Sequence, residues 1–155
     1  MNRKIPKNEG DEMLSFFDSK NKKMVKRWEG EHLRLVELGQ KVIAEYVKNN
    51  ESEAKRALKK FVDLAMDHLT SEDVEFFKMV QDGQRADEQT EKLINEFQRT
   101  FKDTKTTLMK FLAKYVKPEV GLDEEFFDTF STIMDILGKR ISYEEENLYF
   151  RMSLS

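Results

Sequence analysis

Cysteine is absent from the chain, which excludes disulfide frameworks and every thiolate-held metal site. Proline occurs twice and glycine six times in 155 residues, too little punctuation for many short strands joined by tight turns. No apolar run approaches the roughly 18–20 residues that would span a bilayer. The N-terminal residues also lack the apolar stretch of a secretory leader. A cytoplasmic protein with no membrane role is therefore expected. Basic residues do not outnumber acidic ones, and the net charge is −3; direct nucleic-acid binding normally shows the opposite balance on one face. Only two histidines occur, and no nucleophile motif or glycine-rich phosphate loop accompanies them, so no enzymatic activity is expected.

Helix-forming pattern fills the space these absences leave. Apolar residues make up 39% and charged residues 37%, the balance of amphipathic helices with solvated outer faces. Residues 1–20 carry a small apolar patch, Met13, Leu14, Phe16 and Phe17, and are read as an N-terminal arm or short helix. Four longer stretches then place apolar residues at alternating spacings of three and four. The first, from about Asn21 to Lys48, aligns Val25, Trp28, His32, Leu35, Gly39, Val42 and Tyr46. The second, from Ser52 to about Gln81, opens with Asn50 and Glu53 spaced as a capping box. The third spans about Asp87 to Val116 without a slip and ends at Lys117-Pro118. Asp123 is placed to cap the fourth, whose stripe reads Phe126, Phe130, Ile133, Leu137, Arg140, Glu144 and Leu148. The fold class that follows is all-α: an antiparallel up-down-up-down four-helix bundle over residues 21–155.

Polar residues interrupt those stripes. His32, His68, Glu72, Thr104, Arg140 and Glu144 occupy positions that periodicity assigns to the interior. An unpartnered carboxylate buried there would cost several kcal/mol, so each acid needs a cation, a metal or a proton. His68 and Glu72, like Arg140 and Glu144, stand four residues apart and share a helical face. Two outcomes stay open. The guanidinium of Arg140 pairs with Glu72 and Glu144 in a metal-free network, the preferred reading, with no cofactor. Otherwise His32, His68, Glu72 and Glu144 hold a single metal ion.

Two resemblances bear on that choice. His68-Leu69-Thr70-Ser71-Glu72-Asp73-Val74-Glu75-Phe76 and Arg140-Ile141-Ser142-Tyr143-Glu144-Glu145-Glu146-Asn147-Leu148 resemble the two copies of the His-Ile-x-x-Glu-Glu-x-x-Leu motif of hemerythrin-like (HHE) domains. Arginine replaces the second histidine. His32 resembles that group's first-helix ligand, and the group's oxygen-responsive or metal-binding role is the alternative this likeness implies. Within the group, the chain also resembles the regulator of sigma D (Rsd/AlgQ) family. Val25-Lys26-Arg27-Trp28 with Leu35-Val36, then Ala57-Leu58, Phe61, Asp67, Leu69 and Thr70, and finally Ser131, Ile133, Leu137, Arg140, Glu144 and Glu145 carry that likeness. It implies an anti-sigma transcription regulator that sequesters region four of the primary sigma factor. Arg27, Trp28, Asp67, Thr70 and Val74 would be the partner-binding positions, with valine at 74 where that family has an aromatic residue.

Overall fold

The computed structural model describes residues 9–82 and 88–154, with side chains for 20–80, 88–103, 105–152. Among these residues every regular element is helical: α1 (Glu9–Val47), α2 (Glu51–Asp82), α3 (Glu88–Thr100), α4 (Lys102–Val116), α5 (Glu124–Tyr143), a π-helical segment (Glu144–Tyr149) and α6 (Phe150–Leu154). None is long and apolar enough to cross a membrane. The helix expected from about Asn21 begins at Glu9 instead, so residues 9–20 continue α1 rather than forming a separate element. Residues 1–8 and the patch Met13, Leu14, Phe16 and Phe17 lie outside the described residues or side chains.

Helix ends follow their local chemistry. Asn49 takes a left-handed conformation, with φ of 59°. Its N–H reaches the Tyr46 carbonyl at 3.0 Å and the Asn50 N–H reaches that of Glu45 at 2.9 Å. That paired closure is a Schellman stop, with asparagine tolerating the conformation glycine usually supplies. Asn50 then starts α2 by accepting the Glu53 N–H at 3.4 Å, while the Glu53 carboxylate turns to Arg56 at 3.2 Å, so only half of the expected capping box forms. Asp123 caps α5, accepting the Phe126 N–H at 2.8 Å. Glu51 holds the preceding loop against the start of α2 by accepting the Leu122 N–H at 3.0 Å.

The third helix is not continuous. A single residue, Phe101 (φ −108°, ψ 14°), separates α3 from α4. Thr100 turns its hydroxyl back to the Glu96 carbonyl at 2.8 Å, the kind of bond that bends a helix. The Phe101 N–H still reaches the Phe97 carbonyl at 3.0 Å, so the chain bends there rather than reversing. The expected unbroken stretch from Asp87 to Val116 is corrected on this point.

Packing produces two apolar clusters. One gathers Leu35, Leu58, Phe61, Leu112, Phe126 and Phe130 from α1, α2, α4 and α5. The other gathers Trp28, Phe76, Ile94, Phe97, Leu148 and Tyr149. Where α1 nears α5, Gly39 leaves room for Met134; a Cβ there would collide with the methionine sulfur and methyl. Of the buried polar residues, His32, Glu72, Arg140 and Glu144 fall between members of the two clusters along the chain, and His68 stands beside Leu69 at the edge of the first.

Candidate metal centre

Five of the six interior polar residues come together. His32, His68, Glu72, Arg140 and Glu144 are all buried. Thr104 was placed in this group as well; its side chain lies outside the described residues. Unbroken helix through Thr70 and Ser71 keeps Glu72 one turn beyond His68 on the inner face.

Each imidazole is anchored from behind. His32 Nδ1 is 3.0 Å from Glu145 Oε1, and His68 Nδ1 is 2.9 Å from Glu31 Oε1. A carboxylate oxygen only accepts, so each Nδ1 carries a hydrogen and each Nε2 faces the centre. The two Nε2 atoms stand 2.9 Å apart. His68 Nε2 is also 2.6 Å from Glu72 Oε1, and His32 Nε2 is 3.4 Å from Glu144 Oε2. Despite that short approach Glu72 Oε1 has no hydrogen-bond partner among the described residues. The contact is close without the alignment of a hydrogen bond.

Protonation sorts the carboxylates into unlike partners. Burial, then the neighbouring charge of Glu144, pushes Glu72 well above the usual carboxylate range, so it keeps a proton. Burial would push Glu144 the same way. Its hydrogen bonds with Glu72 and His32 and the charge of Arg140 overcome this and hold it at about 2. Arg140 adds to this from close by, with Nε 2.9 Å from Glu144 Oε1 and Nη2 4.0 Å from Glu72 Oε1. Its guanidinium also lies over the ring of Phe97, 4.8 Å from the centroid. Burial lowers His68. For His32 the Glu144 and Glu145 carboxylates outweigh burial and raise it. A proton on His32 Nε2, shared with His68, can therefore stand at the point where the donors meet.

Three members of the site were not among the residues the sequence put forward. Glu31 and Glu145 anchor the histidines and sit at the rim, on outer positions that periodicity treats as solvated. Tyr149 is central: its hydroxyl lies 2.7 Å from Glu72 Oε2, 2.6 Å from Glu144 Oε2 and 3.2 Å from His32 Nε2. In an α-helix, residues five apart point to different sides. The looser i→i+5 winding of the π-helical segment brings Tyr149 round to the side of Glu144. Adjacent residues Leu148 and Tyr149 are both buried as a result.

The candidate partner positions separate. Arg27, Asp67, Thr70 and Val74 are exposed, and Arg27 donates to Ser71 Oγ at 2.7 Å. Trp28 is fully buried, with its indole N–H 3.2 Å from Ser71 Oγ. It packs the second cluster and has no face to offer a partner, which corrects its assignment as a contact residue.

The donors fit a cation. One nitrogen from each of His32 and His68 and one oxygen from each of Glu72 and Glu144 lie within 4.8 Å of one another. Ligands placed tetrahedrally about 2.1 Å from a zinc-like ion would stand roughly 3.4 Å apart, within the spread observed here. Carboxylates behind both histidines supply the outer support that metal-ligating imidazoles nearly always have. Glu72 Oε1 is the buried, unbonded oxygen that a cation would satisfy. Residues 23–152 match the family model described as hemerythrin HHE cation binding domain. No curated protein matches the chain, and no solved structure does.

Proposed function

The chain belongs to the hemerythrin HHE cation-binding family, and on that premise we propose that it binds one divalent cation through His32, His68, Glu72 and Glu144. The observation that carries this reading is the meeting of both Nε2 atoms, 2.9 Å apart, beside the unbonded Glu72 Oε1, which lies 2.6 Å from that of His68, each imidazole being held from behind by a carboxylate. The family match and the four converging donors favour it over the metal-free network preferred from sequence, although Arg140 does stand beside Glu72 and Glu144 as that network requires. Arg140 does pair with Glu144, but it leaves Glu144 Oε2 and the histidine nitrogens facing the centre. The same arginine limits the site to one ion, since a second cation at Glu144 Oε1 would face a fixed positive charge. A bound divalent ion would supply Lewis acidity or, with iron, a one-electron couple. The protein's own residues orient the donors, exclude water and yield a proton as the ion enters. Binding rather than catalysis is the proposed role, on a four-helix, up-down-up-down arrangement in the cytoplasm. Elemental analysis of protein purified without chelator tests it. About one metal per chain is expected, and its loss in a His32→Ala, His68→Ala double variant. Metal-free protein that also ignores added zinc, manganese and ferrous ions would refute the reading.

A second reading, sequestration of region four of the primary sigma factor, draws on one face of α2. Asp67 and Thr70 are exposed there beside Met66, Val74 and Phe77, an apolar strip with an acid at its edge that suits a basic helical partner. Co-purification with an isolated region-four domain, weakened by Asp67→Ala or Arg27→Ala, would support it. No binding at micromolar concentrations would remove it.

A further inference from the structure

We infer that the phenolic oxygen of Tyr149 is a fifth donor to the cation, an assignment that rests on the single-ion reading above. No other described side chain has its polar atom so placed. The hydroxyl lies within 2.6–3.2 Å of donor groups on Glu144, Glu72 and His32, so an ion drawn to those three lies within reach of the phenol. Other buried polar groups nearby cannot take its place. Arg140 is itself a cation, and the Trp28 indole N–H turns away to Ser71.

The ring is fixed before any ion arrives. It stacks on His32 at 5.4 Å with 13° between planes and lies 5.5 Å from Trp28. The π-helical segment delivers the residue, and such single turns recur at functional sites. Ligation would proceed by loss of the phenolic proton to water as the oxygen–metal bond forms, with no change of oxidation state.

Ferric iron is the informative probe, because a phenolate on iron(III) absorbs visible light by charge transfer whereas imidazole and carboxylate ligands alone do not. Chelator-treated protein would be loaded with ferrous ammonium sulfate, oxidised in air, and measured for iron per chain, visible absorption and resonance Raman scattering. About one iron per chain is expected, with a coloured band and enhanced phenolate ring modes. Both signals should be lost in Tyr149→Phe and kept in Tyr143→Phe. One iron per chain without phenolate modes in the unaltered protein would overturn the fifth donor while sparing the four-ligand reading, with no need for any variant to fold. No uptake of iron, nor of zinc or manganese added in its place, would overturn both.

Discussion

Phe61 and Glu72 lie on the same face of α2, three turns or about 16 Å apart, and both are completely buried. Around Phe61 the helices meet through carbon alone, with Phe130 edge-on at 5.4 Å between centroids. Around Glu72 they meet through two histidines, an arginine, a second carboxylate and a phenol. Burial stabilises the first region by removing apolar surface from water. In the second, burial disfavours charge and is offset only by pairing, protons or an ion. One helix thus carries a region selected for stability and a region whose stability depends on what occupies it.

The largest effect should come from breaking the first region. Phe61→Ala is expected to cost about 3–5 kcal/mol, read by urea denaturation, while leaving the cation stoichiometry of the surviving folded protein unchanged. If stoichiometry falls in parallel, the regions are not separable.

Next comes the ion. A free concentration of divalent cation 100-fold above its Kd should stabilise the protein by about 2.7 kcal/mol. That gain, measured by thermal or chemical unfolding with and without chelator, should persist in Phe61→Ala and vanish in the double histidine variant. A gain of equal size without the histidines would place the ion elsewhere.

Glu72→Gln sharpens the contrast further. Because Glu72 is raised in the folded state, the native protein holds a proton that the unfolded chain releases. This contribution is fully present below the unfolded carboxylate value. It is lost as pH rises toward the folded one. Glutamine mimics the protonated acid without titrating. In chelator the variant should be at least as stable as the parent at neutral pH, with a flatter pH profile above pH ~4.5, yet it should fail to gain stability from the ion. Lower stability than the parent at neutral pH would mean that Glu72 is ionised there.

The smallest effect is expected away from both regions. Asn50→Ala removes the cap of α2 and should cost about 1 kcal/mol, with cation affinity unaltered. A change in affinity would reveal that fraying at the start of α2 reaches His68.

The two regions were also unequally legible. Leu58, Phe61, Phe126 and Phe130 follow simple helical spacing, and the structure buries each of them. In the polar region the same spacing located His32, His68, Glu72, Arg140 and Glu144, because a polar residue on an apolar stripe is conspicuous. It missed Glu31 and Glu145, which reach inward from the rim and look like ordinary solvated acids. Tyr149 was missed for a different reason: it is off the α-helical stripe that contains Leu148, and only a local change of winding brings it in. The bend at Phe101 was hidden in the same way, since Phe97, Phe101 and Leu108 keep their alternation straight through it.

The π-helical segment makes the C-terminal end sensitive to length. Inserting one further residue between Glu145 and Leu148 would exceed what the π-turn absorbs and turn everything beyond it by about 100°. Leu148, Tyr149 and Met152 would then leave the interior together. Composition and helix content would hardly change. Circular dichroism would report a healthy helical protein, and only an ion titration would show that the centre had lost its phenol. For this chain, the count of residues near its end is as much a part of the site as their identity.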